Sequence, residues 1–295
     1  MTALLASRID TAQRLRSLVS GPELVVAPGA YDCLSARLVE AAGFSCVYMT
    51  GFGTAAAYLG RPDVGFLGMS EMVDHARRIV QAVGIPVIAD ADTGYGNPLN
   101  VVRTVQMYEE AGVAAIHIED QVAPKKCGHI AGKQVIPADD MEAKIRAAIS
   151  ARRSADFTII ARTDARAVEG LDAALERAHR YREAGADAIF VEAPETEAEI
   201  RKVAESLKGT PLLFNWVEGG RTPPVPLPLL RDLGFRIVIF PVGALLGAAS
   251  AIRDILAVIA RDGTPAQAQA QMMGFDEFLN FIGLPEIREL ERRFT

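Results

Sequence analysis

Eight short apolar runs, each ending in a polar, proline or glycine signal, recur along almost the whole chain and leave few folds open to it. They are 23–32 (ELVVAPGAYD), 45–51 (SCVYMTG), 85–94 (IPVIADADTG), 114–121 (AAIHIEDQ), 158–165 (TIIARTDA), 188–194 (AIFVEAP), 211–215 (PLLFN) and 236–241 (RIVIFP). Val, Ile or Phe fill them, and their hydrophobicity is near-continuous rather than alternating, as expected of strands covered on both faces. Between them lie helical stretches such as 69–83, 100–112, 138–152 and 171–185, and Gly43, Gly84, Gly112 and Gly185 stand where a helix C′ residue is expected. Alternating strand and helix implies a parallel sheet, and eight such units predict a closed (β/α)8 TIM barrel. The alternative is a doubly wound open sheet, but no GxGxxG follows the first run, which removes its usual dinucleotide-binding form. Residues 1–295 read as one barrel domain, with 243–295 as a C-terminal helical extension longer than barrel closure needs and suited to packing on a neighbouring subunit.

Charge and cysteine content narrow the setting. With 31 Lys and Arg against 37 Asp and Glu the net charge is −6, so the basic stripe of a nucleic-acid binder is absent, while small anions remain possible ligands. Three cysteines, Cys33, Cys46 and Cys127, are too few for a disulfide scaffold and suit a reducing compartment. No apolar run reaches the roughly eighteen residues needed to span a bilayer. The first twenty residues carry arginines and Asp10 in a helical rhythm rather than the core of a signal peptide. The expectation is a soluble, cytoplasmic protein with no nucleic-acid or membrane partner.

If the runs are barrel strands, their C-terminal residues face one pocket: Tyr48, Thr50, Asp90, Asp92, Glu119, Asp120, Arg162, Asp164, Glu192 and Asn215. Asp90 and Asp92 are two apart, so an extended strand would point both carboxylates the same way. A hard divalent ion relieves their repulsion, and Mg²⁺, which keeps several waters, suits Asp90, Asp92 and Glu119 better than a zinc site would, since histidine is scarce here. Singly, each acid is as well explained as a helix cap or a partner of Arg162; the set, at adjacent strands, favours a metal. The connections 51–84 and 121–157 exceed what a plain helix requires, and such excess at strand ends builds active sites or lids. In the second lies Pro124-Lys125-Lys126-Cys127-Gly128-His129, where cationic neighbours would lower the thiol's pKa. Gly128 and Gly132 supply hinge freedom for closure over a ligand. Cys33 and Cys46 read as inert small hydrophobes, and the lysine pair read alone could be a solvated loop face.

DADTGYG (90–96), HIEDQ (117–121), KKCGH (125–129), ARTDA (161–165) and VEAP (191–194) together resemble the isocitrate lyase/phosphoenolpyruvate mutase superfamily, over about residues 25–263. The resemblance implies a (β/α)8 barrel whose last helix is swapped between subunits of a homotetramer. It implies Mg²⁺, with Mn²⁺ as a substitute, held partly through water by Asp90, Asp92 and Glu119, with Asp63 an acid nearby. In the lyases of this family a 2-hydroxydicarboxylate is cleaved between C2 and C3. Their 2-oxoacid half is held at positions matching Thr50, Gly51, Phe52 and Arg162, with Gly128, Glu192 and Asn215 as further substrate-contacting positions. Cys127 matches the lid cysteine that protonates the departing carbanion. Tyr48 is the candidate for the hydroxyl proton, and Lys125 and His129 would tune the cysteine or hold the leaving carboxylate.

Departures point within the family. Methylisocitrate lyases, otherwise similar, carry arginine at the positions aligned with Leu246 and Phe275, where it neutralises an additional carboxylate. The stretch NWVEGGRTP (215–223) looks more like the 2,3-dimethylmalate lyase and petal death protein branch. Oxaloacetate hydrolases of that branch place a serine where this chain has Pro241, and the phosphonomutases generally lack the loop cysteine. The leading expectation is therefore a 2-alkylmalate lyase, with methylisocitrate cleavage as runner-up. Behind these come oxaloacetate hydrolysis or decarboxylation, phosphonate mutation, and a barrel that binds a 2-oxoacid without turnover.

Overall fold

The computed structural model describes residues 10–128 and 132–294. All eight runs are strands: β1 Val25–Ala30, β2 Val47–Met49, β3 Val87–Asp90, β4 Ala115–Glu119, β5 Thr158–Thr163, β6 Ala188–Val191, β7 Leu212–Asn215 and β8 Ile237–Phe240. They pair in sequence order, all parallel, and β1 closes on β8 through Val25–Pro28 against Ile237–Phe240. A closed parallel barrel leaves no sheet edge, which excludes the doubly wound alternative.

Two concentric cores explain the near-continuous strand hydrophobicity. Inside the barrel lie Ala27, Tyr48, Ile88, Ala115, Ile160, Phe190, Leu213 and Ile239, and the helix Thr11–Ser20 adds Leu15 and Val19 to this cluster. Outside it, Met49, Val87, Ala89, Ile116, Ile159, Ile189, Leu212 and Val238 meet buried residues of the surrounding helices, among them Met72, Ile79, Val105, Tyr108, Ile145 and Ile200. Each strand thus contributes to both layers, and a fully buried Ile or Phe side chain is worth about 2 kcal/mol on either face.

The expected helices appear as Met69–Ala82, Pro98–Glu110, Ala138–Ala151 and Leu171–Glu183. Gly43, Gly112 and Gly185 take the left-handed turn expected of a C′ residue, at φ of +86°, +87° and +108°. Gly84 does not: Val83 leaves its helix in extended conformation, and the Gly84 N–H donates instead to the Glu40 carboxylate at 2.8 Å.

The chain divides into two compact units, the barrel up to Leu245 and a second beginning at Leu246. Helix Gly243–Asp262 continues from the first into the second, which also holds a 3-10 turn at Ala266–Gln271 and helices Phe275–Phe281 and Leu284–Phe294. No residue of helix Gly243–Asp262 is buried, and Leu246, Ile252, Leu256 and Phe275 are exposed. This 20-residue helix, with mean hydropathy 1.7, is long and apolar enough to cross a membrane by length and composition alone. The sequence shows no such uninterrupted run because Arg253 and Asp254 break it.

Candidate active site

Three backbone features set the mouth of the barrel. β3 ends at Asp90, and Asp92 lies beyond it in the left-handed region at φ +49°. The expectation that an extended strand aligns the two carboxylates is therefore corrected: a turn intervenes, and the Asp92 N–H donates to Asp90 Oδ1 at 2.9 Å. Thr50 caps helix Gly51–Leu59, accepting from the Gly53 N–H at 3.2 Å, so the helix begins immediately after β2. A Cβ on Gly51 would collide with the Asp90 carboxylate, so a side chain there would displace either the helix start or the acid. Ala193, next to Glu192, is left-handed too at φ +54°, and such backbone strain tends to cluster at functional sites.

Arg162 organises one side of the mouth. Its guanidinium makes a bidentate pair with Asp164 at 2.9 and 3.0 Å, stands 3.3 Å from Glu119 and 3.5 Å from Glu192, and lies over the Phe190 ring at 5.1 Å. Asn215 donates from Nδ2 to Glu192 at 3.2 and 3.3 Å. Lys125 organises the other side. Its buried ammonium stands 2.6 Å from both Asp63 and Asp92. Burial opposes that charge, but Asp92, Asp90, Glu119 and Asp63 outweigh it and hold the ammonium well above its usual range. The sequence reading had Lys125 tuning the thiol or holding a leaving carboxylate; in the structure its charge is engaged by Asp63 and Asp92.

Burial dominates the acids. It pushes the Asp92 carboxyl up to about 7 against the pull of Lys125, and it raises Glu119 well above the usual carboxylate range against Arg162. Among the described residues, no three His, Cys, Asp or Glu side chains are gathered closely enough to chelate an ion together. The Oε1 of Glu119 is nevertheless buried without a hydrogen-bond partner, an acceptor waiting for a cation or a water. That orphan, with Asp90 and Asp92 beside it, fits an ion bound through few carboxylates and several waters, the habit of Mg²⁺.

His117 was missed by the sequence reading. Its Nε2 lies 2.8 Å from the Tyr48 hydroxyl and 3.6 Å from Asp90, and the two rings stack. Burial depresses it to about 4, so the imidazole is neutral, and burial, reinforced by Asp90, raises the Tyr48 phenol well above 10. The signal was present: His117 and Glu119 are two apart in β4 and therefore share the inward face.

The described limbs of the 121–137 connection, 121–128 and 132–137, lie over this mouth. Gln121 pairs with Val135, the Val122 N–H donates to Gln134 O at 2.9 Å, and the Gln121 amide grips both backbone groups of Lys126 at 2.8 and 3.0 Å. The Cys127 N–H donates to Asp63 O at 3.2 Å. At Gly128 the lid rests on the site: an added Cβ would stand 2.6 Å from both the Arg162 guanidinium and the Glu192 carboxyl carbon. Gly128→Ala should therefore fold normally yet lower kcat about 100-fold, because a misplacement of about 1 Å near the chemistry costs that much; steady-state kinetics beside a melting curve would check this. His129 lies outside the described residues. Along the lid's flank a cavity of about 500 Å³ is lined by Leu67, Met69, Asp92, Tyr95, Arg103 and Lys125, among others.

A phosphoenolpyruvate phosphomutase family model matches residues 15–260. The chain belongs to the phosphoenolpyruvate mutase/isocitrate lyase superfamily. It is similar to the 2,3-dimethylmalate lyase of Eubacterium barkeri, with 49% identity over 287 residues covering 97% of this chain and 99% of the relative. It is also similar to a 2-methylisocitrate lyase of Bacillus subtilis, at 40% identity covering 97% and 94%. Among solved structures, a 2,3-dimethylmalate lyase crystal structure superposes with TM-score 0.92 at 41% identity, covering 97% of this chain and 96% of that one. A phosphonopyruvate hydrolase complexed with oxalate and Mg²⁺ superposes with TM-score 0.88 at 34% identity, covering 96% and 99%. The protein is an enzyme, a lyase of this superfamily.

Proposed function

We propose that the protein is a Mg²⁺-dependent carbon–carbon lyase acting on a 2-alkylmalate such as 2,3-dimethylmalate, releasing pyruvate and a short monocarboxylic acid. The observation that carries this reading is the closed lid, which brings the backbone beside the Cys127 thiol down onto Arg162 and Glu192. The 49% identity to a 2,3-dimethylmalate lyase along nearly the whole of both chains supports the substrate class.

Asp90, Asp92 and Glu119 would hold the ion, with Mn²⁺ as a substitute; when bound it polarises the oxygens of the 2-oxoacid half as a Lewis acid. The start of helix Gly51–Leu59 offers N–H groups to the carboxylate of that half, and Arg162 supplies the counter-charge. Tyr48 is a neutral phenol, so it takes the C2 hydroxyl proton while passing its own to His117 Nε2, 2.8 Å away. The C2–C3 bond then breaks, its electron pair moving onto C3 and into the adjoining carboxylate. Asn215 meets that growing charge, and His129 is assigned there from the sequence. Cys127 returns a proton to C3, and the closed lid keeps water from competing. Glu192 and Asn215, hydrogen-bonded together, shape the wall on which Gly128 rests.

Leu246 and Phe275 stand where the resemblance implies the arginines of methylisocitrate lyases, and this departure favours an alkylmalate over methylisocitrate. A panel assay for 2-oxoacid release from alkylmalates, methylisocitrate and oxaloacetate with Mg²⁺ tests this. The highest kcat/KM is expected for an alkylmalate, and a preference for methylisocitrate would move the protein to the runner-up activity.

Mg²⁺ binding should depend on pH in a stated sense. Below about 7 a proton occupies Asp92 and must leave before the ion binds, so affinity should rise about tenfold per pH unit up to that point and flatten above it. Calorimetry in buffers of different ionisation enthalpy would register the released proton. The exposed apolar helix Gly243–Asp262 suits the swapped helix of a homotetramer in the cytoplasm; sedimentation at micromolar concentration should give a tetramer's mass.

A further inference from the structure

We propose that Lys133 is a positioning residue that latches the closed lid by tying the backbone beside the thiol to the carboxylate that orients Arg162. The inference rests on the lyase reading for what the lid covers, but the latch itself is geometric.

Lys133 sits on the returning limb of the lid, one residue before the Gln134 carbonyl that accepts from Val122. Its side chain is 3% exposed, and its ammonium donates to Asp164 Oδ1 at 2.7 Å and to the Gly128 carbonyl. Burying an ammonium is costly unless its partners need it. Asp164 hardly does: both of its oxygens already take the Arg162 guanidinium, and its backbone N–H is held by Asp120 at 2.9 Å. The contact that would be lost without Lys133 is the one to Gly128. That carbonyl belongs to the residue after Cys127, at the point where the lid has no room for a side chain above Arg162 and Glu192.

A charge-assisted hydrogen bond at that point fixes the chain on both sides of the thiol. On the other side the Cys127 N–H is held by Asp63 O. Cys127 is thus pinned before and after itself, once to the Lys125 side of the mouth through Asp63 and once to the Arg162 side through Lys133 and Asp164. The two contacts give residue 127 one defined position in the closed form.

The test compares the full-length protein with Lys133→Met and Lys133→Arg. Amide hydrogen exchange without ligand should be about tenfold faster at Cys127 and its lid neighbours in Lys133→Met, with Ile118 in β4 unchanged. Turnover should fall about 100-fold in kcat while oxalate affinity in the presence of Mg²⁺ stays within about threefold, and Lys133→Arg should recover most of both losses. Because Asp164 keeps Arg162, Lys133→Met should retain its fold; Lys133→Gln, which keeps one donor, repeats the exchange measurement if it does not. Unchanged lid exchange together with unchanged kcat would overturn the latch. If the lid loosens but the parent enzyme cleaves no alkylmalate, the latch stands and the proposed substrate falls.

Discussion

Cys127→Ser should lose about 1,000-fold in cleavage while keeping oxalate affinity in the presence of Mg²⁺ within a few-fold, because a positioned proton donor supplies about 100- to 10,000-fold. The substitution removes one atom's chemistry and little volume, and the backbone contact that seats residue 127, its N–H on Asp63 O, is independent of the side chain. The hydroxyl of serine is a much weaker acid than the thiol and a poor donor to carbon at neutral pH. The decisive comparison is single-turnover pyruvate release against calorimetric oxalate binding. Undiminished release would remove the thiol from the chemistry, and a parallel loss of oxalate affinity would give it a binding role instead.

Arg162→Met should be the most destabilising change at the site. The guanidinium is the counter-charge for Asp164, Glu119 and Glu192, all of them buried. Removing one partner from a buried charge cluster costs about 3–5 kcal/mol, because Glu119 and Glu192 lose their guanidinium while Asp164 keeps a second cation, Lys133. For a protein of this size that lowers Tm by on the order of 10 °C, and activity should vanish with the loss of the 2-oxoacid counter-charge. The pH dependence has a definite sign. Burial already raises the folded-state carboxyl of Glu119 above its unfolded value, and without Arg162 it rises further. A carboxyl raised in the folded state costs stability as pH climbs, so the deficit should widen as pH rises past the parent's own raised Glu119 value and narrow on acidification. Melting curves of both proteins on either side of that value would show it; a constant gap would mean that the acids are not the cause.

The barrel was legible because each strand is covered twice, once by the inner core and once by helices, and double burial writes continuous runs of Val, Ile and Phe. Strand ends were legible for the same reason: a polar residue that terminates such a run faces the mouth. The turn at Asp92 was not, since two acids two positions apart look identical whether the strand continues or bends, and only the backbone decides it. His117 was passed over because it precedes a more conspicuous acid, although its spacing from Glu119 placed both on the inward face. The partners of Lys125 were not legible, because sequence adjacency to Cys127 does not show that the path of the chain carries its ammonium to Asp63 and Asp92. Lys133 had no local signal, because its importance depends on how the lid folds back on itself. The apolar character of helix Gly243–Asp262 is written in the sequence, but its exposure is not.

The central claim, that a mobile thiol is delivered to a carbanion held at the barrel mouth, is tested most directly by a crystal structure with Mg²⁺ and oxalate bound in place of the 2-oxoacid product. The ion is expected on Asp90, Asp92 and Glu119, directly or through water. Oxalate is expected against Arg162 and the start of helix Gly51–Leu59, with Cys127 Sγ within about 3.5 Å of the space vacated by the leaving acid, the separation of a near-attack arrangement. A thiol turned to solvent and far from the oxalate, with the lid closed, would contradict it.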